Sequence, residues 1–377
     1  MFTRIDLQFF KCFKLLRLPL APLTLLTGLN ASGKSSVLQA LALLHQTIHD
    51  HEWSTRLALN GSVVRLGSMP DVVDQEFGGN SFTIALENDG NLYDWSFEGE
   101  RRDMSMRIQH VSVNGKTTKY PQELQYLLPL DEKEAAASLA QRLRNITYIS
   151  AERAPPREIH RLEDPHAVTV VGPQGEHAMS ILHWGGDQSV PTELVLPSSS
   201  AIRLRQVEEH MSTFFPGFKM ELRQTGNSVM LGLRTSDATG FFNPIHTGFG
   251  LTQTLPIVVA ALSAAKGDTV MLENPEGHLH PAGQARMGQF ITAVARAGIQ
   301  VLVETHSDHI LNGIRRAVKE NQLAADQIAI HFFRPRSEEL AQVLSPNMDD
   351  FGHIDDWPAG FFDQFDKDAN YFAGWGE

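Results

Sequence analysis

The clearest chemistry in the sequence lies in eight residues near the N-terminus, Gly28-Leu29-Asn30-Ala31-Ser32-Gly33-Lys34-Ser35. They match G-x-x-x-x-G-K-[ST], a pattern that holds phosphate groups. The backbone N–H groups of such a loop, with the positive end of the helix behind it, surround the phosphates. Gly28 and Gly33 permit the tight path, with Asn30, Ala31, Ser32 and Ser36 completing the cradle. Lys34 is expected to reach the β- and γ-phosphates, and Ser35 to ligate Mg²⁺. A nucleotide, with ATP as the expected cofactor, is the ligand this pattern implies.

Two further segments carry polar groups behind apolar runs. Val270-Met271-Leu272 runs into Glu273-Asn274-Pro275-Glu276. A carboxylate at such a strand end can hold Mg²⁺, and a second can orient or deprotonate an attacking water. Glu273 and Glu276 are the candidates. His278 and His280 follow at once and are read as a loop facing a partner subunit rather than as metal ligands. Val301-Leu302-Val303 runs into Glu304-Thr305-His306-Ser307. His306 then faces the crevice at the strands' carboxyl ends, placed to donate to a γ-phosphate.

These groups need elements to position them. Leu23–Thr27 reads as a buried strand that stops at Gly28, and apolar residues recur at helical spacing from Ser35 to His49. The phosphate pattern therefore sits between strand and helix. In the last third, strands over 269–272, 300–303 and 328–333 alternate with helices over 254–265, 282–297 and 309–321. Alternation of this kind implies a mainly parallel sheet. Residues 2–7 alternate as a half-buried strand, and turn signals through 60–115 indicate a small antiparallel sheet. Residues 131–144 read as a helix, 145–149 as a strand, 151–200 as looped and 201–213 as a helix. The expected division is an N-terminal lobe over 1–95, an insertion over 96–215, a C-terminal lobe over 216–335 and a tail over 336–377.

Composition bounds the whole. The 377 residues are 42% hydrophobic and 20% charged, ordinary globular usage that excludes a disordered or collagen-like chain. The formal charge is −12, so bulk charge does not attract nucleic acid, and any such contact requires a local basic patch. The single cysteine, Cys12, forms no internal disulfide and fits a reducing cytosol. No apolar run spans a membrane, and no signal-peptide layout opens the chain, so a cytoplasmic protein is expected. Arg153, Arg157, His160 and Arg161 form one basic cluster, and Arg315, Arg316 and Lys319 another; both are read chiefly as solvated faces.

Residues 349–377 hold eight aromatic residues, Phe351, Trp357, Phe361, Phe362, Phe365, Tyr371, Phe372 and Trp375, with eight acids and one lysine. Composition leaves two readings open: a tail docked on the body, or a surface for a partner.

Taken together, these motifs resemble the ABC-type ATPase heads of the SMC, RecF and OLD (overcoming lysogenization defect) proteins. The phosphate loop has that group's G-x-N-x-S-G-K-S form, with Asn30. Phe10-Lys11-Cys12-Phe13-Lys14 resembles its F-K-S-F-K segment, and Glu273–Pro281 its D/E-x-P-E-x-H-L-H-P run. Thr305-His306-Ser307 resembles its switch-histidine motif, and Thr247–Gln253 its variant signature sequence. Trp357–Gln364 resembles an uncharacterised C-terminal domain found on bacterial ATPases of this kind, many of them near phage-defence genes. The likeness covers roughly 1–75 and 245–365; the middle matches loosely, through Ile149–Arg153 and Val171–Glu176.

The resemblance implies an α/β head that pairs head-to-tail around two ATP molecules, as a homodimer or higher assembly. The signature segment of one head would cap the nucleotide of the other, with Gly248 and Gly250 approaching the γ-phosphate and Thr252 and Gln253 binding in trans. Gln75 is the candidate for the glutamine that helps hold Mg²⁺ in this group. Hydrolysis would regulate a separate effector, a nuclease or toxin, in anti-phage defence. A RecF-like repair ATPase and a nucleotide-gated scaffold are the alternatives. Two departures stand out. Asn274 occupies the place where many such ATPases carry the catalytic Glu, which leaves Glu276 to take that role or turnover slow. The sequence also lacks a long coiled coil and the acidic cluster of a nuclease domain.

Overall fold

The computed structural model describes residues 1–197, 199–337 and 340–374, apart from the side chains of 365 and 366. The chain opens with β1 (Phe2–Phe10) and β2 (Phe13–Pro19), then runs through β3 (Leu23–Gly28) into α1 (Lys34–Asp50). β4 (Arg56–Ala58) and the short α2 (Met69–Val72) precede β5 (Ser81–Asn88), β6 (Asn91–Glu98), β7 (Ser105–Val113) and β8 (Lys116–Lys119). α3 (Lys133–Arg144), β9 (Ile146–Ile149), β10 (Ile159–Arg161), α4 (Ala178–Gly185) and α5 (Arg203–Phe214) follow. Next come β11 (Lys219–Thr225), β12 (Ser228–Arg234), α6 (Phe249–Ser263), β13 (Thr269–Glu273) and α7 (Pro281–Arg296). The chain closes with β14 (Gln300–Glu304), α8 (Asp308–Lys319), β15 (Ile328–Phe333), β16 (Val343–Leu344) and α9 (Gln364–Ala373).

Among the described residues these strands form three sheets. The central one has the order β16-β15-β3-β14-β13-β9 and is parallel except for β16. An antiparallel sheet, β2-β1-β5-β6-β7-β4 with β8 on β7, forms the second. The third is the antiparallel set β10-β12-β11. This is the mixed α/β head that the motifs implied.

Side chains alternate across a strand, and that period divides the core in two. Leu23, Leu25, Val270, Leu272, Val301 and Val303 face α4 through α8. Leu26, Met271 and Leu302 face α1, α3 and the antiparallel sheet. Both faces of the central sheet are thus covered, so its strands read as continuous apolar runs. All carboxyl ends of the parallel strands then gather at one edge.

Several expected boundaries move. Position 95 falls inside β6, and β7 and β8 belong to the same sheet as β1, so the antiparallel lobe continues to 119. Position 215 separates β10 from β12, although the two are paired. Residues 151–200 are mostly irregular but contain β10 and α4, whose Met179 and Leu182 are buried. The helix expected from 254 begins five residues earlier, at Phe249, with Gly248 as its N-cap. β11 and β12 occupy a stretch to which the sequence reading assigned no element.

The tail divides in two. Phe361 is fully buried against Phe332, their ring centroids 5.4 Å apart, and Trp357 packs on Phe361 at 4.9 Å. Arg315 donates through Nε to the Gly352 carbonyl at 2.6 Å and lies over the Trp357 ring. That part is docked, and it takes Arg315 out of the basic cluster on α8. On α9, by contrast, Tyr371 and Phe372 are 72% and 84% exposed. Trp375 and the side chain of Phe365 lie outside the described residues. Among the described residues no helix is long and apolar enough to cross a membrane.

Candidate functional site: a phosphate-binding cleft

The phosphate loop leaves β3 at Gly28, with φ +132°, and enters α1 after Gly33, with φ +102°. Both angles disfavour a side chain, and space forbids one as well. A Cβ on Gly28 would strike the Phe333 backbone at the end of β15. On Gly33 it would come within 2.5 Å of Cys12 Sγ and 2.6 Å of the Phe13 ring. The turn between β1 and β2 therefore presses against the loop from outside. Inside the loop, Ser32 Oγ donates to the Leu29 carbonyl at 2.7 Å, and Leu29 N donates to the Phe333 carbonyl at 3.1 Å.

Lys34 is buried, and its Nζ donates to the carbonyls of Gly28 at 3.1 Å and Leu29 at 2.7 Å. Among the described residues no carboxylate pairs with it at ion-pair distance, and burial lowers its pKa. A buried cation satisfied by neutral carbonyls alone suits an incoming anion. The loop opens on a cleft of about 520 Å³, also lined by Lys11, Gln39, Glu304 and His306. Lys11 Nζ donates to Gln39 Oε1 at 2.5 Å.

Sheet order decides which acid meets the loop. β14 lies between β3 and β13, with Glu304 beside Leu26 on one side and Glu273 on the other. Neighbouring strands are about 4.8 Å apart, so Glu304 sits one spacing from the loop strand and Glu273 two. Ser35 Oγ donates to Glu304 Oε1 at 3.0 Å, and Glu304 Oε2 is buried with no partner. Burial pushes the Glu304 carboxyl up to about 7; the Ser35 hydrogen bond opposes the shift and the Glu273 charge adds to it.

Glu273 is engaged elsewhere. Its Oε1 accepts from Tyr148 Oη at 2.6 Å and its Oε2 from Ala151 N at 3.1 Å. The structure therefore sets Glu304, not Glu273, beside the Ser35 hydroxyl, a placement the sequence reading missed. The signal was present: an acid closes the apolar run 300–304 just as one closes 269–273. Glu276 accepts from His306 N at 2.8 Å through Oε1, while its Oε2 is buried and unpartnered. His306 lines the cleft, where partial desolvation and then the Lys34 charge lower its pKa. Asn274 turns the chain at φ +45°, and its Oδ1 is buried without a partner.

Gln75 is not brought to this cleft. Its amide donates to the Pro70 carbonyl at 3.3 Å, and it lines a neighbouring hollow with Asp74 and Arg336.

The segment 247–253 does not reach its own chain's phosphate cleft. Gly248 is exposed, and Gly250 packs under the His278 carbonyl and the Phe215 ring. Thr252 Oγ1 donates to the Phe249 carbonyl at 3.1 Å. Gln253, expected to bind in trans, is buried within its own chain. Its Oε1 accepts from Arg153 Nε at 3.2 Å, and its Nε2 donates to the Ala154 carbonyl at 3.2 Å. Arg153 itself is buried rather than part of a solvated cluster, and it donates to the carbonyls of Glu273 and Asn274 at 3.0 and 2.9 Å. His280 caps α7, with Nδ1 accepting from Ala282 N at 3.4 Å, and His278 lies against Phe249.

Fold and cleft together define a nucleotide-binding α/β head. The chain belongs to the family described as "AAA domain, putative AbiEii toxin, Type IV TA system", whose model matches residues 23–312. A second family model, for a protein of unknown function, matches 323–371 and so includes β15 of the central sheet. The OLD nuclease of Thermus scotoductus is 23% identical over 334 residues, 81% of this chain. The chain spans 59% of the length of that curated relative. Among solved structures, an SMC head bound to the C-winged helix domain of ScpA superposes with a TM-score of 0.56. It shares 14% identity, over 92% of this chain and 97% of that one. An SMC head with an extended coiled coil, bound to the C-terminal domain of ScpA derived from Pyrococcus furiosus, gives 0.57 at 12% identity. That match covers 92% of this chain and 96% of the other. The chain thus belongs to an AAA-domain family and has the fold of the SMC heads.

Proposed function

We propose that the protein binds and hydrolyses ATP with Mg²⁺ in this cleft, as a clamp of two copies that regulates a separate effector. The observation that carries the reading is the buried Lys34, aimed into the glycine loop with only carbonyl partners among the described residues. The residues fit a metal as well: the Ser35 hydroxyl and a strand-end carboxylate sit together, and a buried carboxylate oxygen has no partner. Mg²⁺ would neutralise phosphate charge there, held by Ser35 and that carboxylate. His306 would donate to the γ-phosphate, and Glu276, with one oxygen uncommitted, would accept a proton from the attacking water.

The N-terminal turn of α6, with Gly248, Gly250 and Thr252, would meet the nucleotide of the second copy. Support comes from the exposure of Gly248 and the absence of this segment from its own chain's cleft. The effector would be a nuclease or toxin in anti-phage defence; the matched family's description includes a putative toxin, and the relative is itself called a nuclease. Asn274 favours slow turnover, because an amide is no proton acceptor near neutral pH.

Phosphate release is the test. Lys34→Ala is expected to weaken nucleotide binding about 10- to 100-fold, as loss of a charge-assisted contact does. Glu276→Gln is expected to bind normally but release phosphate at least about tenfold more slowly. Wild-type release that neither variant changes would contradict the reading.

A further inference from the structure

We propose that Glu304 is the carboxylate that takes Mg²⁺ together with Ser35, in place of Glu273 at the strand end where the family pattern puts it. The assignment rests on the ATP·Mg²⁺ reading above.

Three observations carry it. First, Ser35 Oγ and Glu304 Oε1 are 3.0 Å apart. Mg²⁺ holds oxygen ligands at about 2.0–2.1 Å in near-octahedral geometry, so adjacent ligands are separated by about 2.9 Å. The hydrogen bond that joins the pair thus holds the two oxygens at a separation that one small hard cation could also span. Second, Glu304 Oε2 is buried in the cleft wall with no hydrogen-bond partner. An orphaned buried carboxylate oxygen is costly, and a cation or its bound water satisfies it. Third, both oxygens of Glu273 are occupied, by Tyr148 Oη at 2.6 Å and Ala151 N at 3.1 Å. Glu273 would have to give up both bonds and cross the width of β14 to meet Ser35.

Charge agrees with geometry. Glu273, Glu276 and Glu304 gather at neighbouring strand ends, with Lys34 on the loop side and Arg153 behind the strand end of β13. A carboxylate excess at that edge suits a divalent cation. The division of labour follows: Glu304 holds the metal, Glu273 pins the loop 148–151 through Tyr148 and Ala151, and Glu276 keeps an oxygen for the attacking water.

The test measures the metal directly. Full-length protein with a non-hydrolysable ATP analogue is titrated with Mn²⁺ while the free Mn²⁺ resonance is followed by electron paramagnetic resonance. Analogue affinity without metal is measured in parallel. Glu304→Gln is expected to weaken Mn²⁺ in the ternary complex at least about tenfold, the scale on which metal sites respond to lost ligand support. Metal-free analogue affinity should stay within about twofold, since the loop and Lys34 are untouched. Glu273→Gln should leave Mn²⁺ affinity near wild type. Wild-type or tighter Mn²⁺ binding by Glu304→Gln, or loss confined to Glu273→Gln, overturns the assignment. Glu304→Asp, which keeps the charge, should retain part of the affinity and serves if the amide variant does not fold. A wild-type protein that binds no analogue at all would instead overturn the ATP reading on which the assignment stands.

Discussion

Glu273 and Glu304 end neighbouring parallel strands in matched register, yet their carboxylates meet different partners. One is tied to a tyrosine and a backbone amide, the other to the phosphate-loop serine. The difference comes from which neighbour each strand has, since β14 touches β3 and β13 does not. Two histidines buried away from the cleft set a pH dependence. His45 Nδ1 lies 2.5 Å from the Leu143 carbonyl, and His331 bridges Ser345 and the Pro19 carbonyl. Burial lowers each from 6.5 to about 4. Both stay neutral in the folded chain while the unfolded chain takes up protons. Their contribution is complete above pH 6.5 and is lost as pH falls from there toward 4, by up to about 3 kcal/mol each. Denaturant unfolding at about pH 7 and about pH 5 should show this decline, and His331→Gln should shrink it. An unchanged slope in the variant would refute the assignment to His331.

At the scale of elements, strand, glycine loop and helix were legible because their signals are local. An apolar run, a fixed spacing of glycines and a 3.6-residue period all lie within 23–49. Sheet order is not local, so nothing in 300–304 announced that β14 would insert between β3 and β13. The same limit explains Gln253 and Arg153. Their mutual bond spans 100 positions and joins the α6 segment to the end of β13, a link that only the tertiary structure makes. α4 was hidden by the glycines and prolines around it, although its apolar face packs on α6. The tail shows two kinds of aromatic residue. Phe361 fills core space beside Phe332, so Phe361→Ala is expected to cost about 3–5 kcal/mol. Phe372→Ser on the exposed face of α9 should stay within about 0.5 kcal/mol. Thermal melts of the two variants measure this, and equal melting temperatures would mean that the tail is not docked through Phe361.

In the molecule as a whole, the central sheet serves two ends. Its faces bury two separate cores, and its carboxyl edge collects Lys34, Ser35, Glu273, Glu276, Glu304 and His306 from three segments of chain. The motif order foretold that edge, and the SMC-head fold agrees with it. The lobe boundaries were less legible, because antiparallel strands at 2–19 and 81–119 pair across the whole α1 excursion between them. Glu338 and Glu339, between β15 and β16, lie outside the described residues. The central claim is that ATP joins two copies, each cleft completed by the other's α6 segment. The most direct measurement is the mass of the Glu276→Gln protein in solution by light scattering, with and without ATP and Mg²⁺. The expected result is a 41.9 kDa monomer that doubles its mass only with nucleotide. A mass that ATP does not change would contradict the clamp.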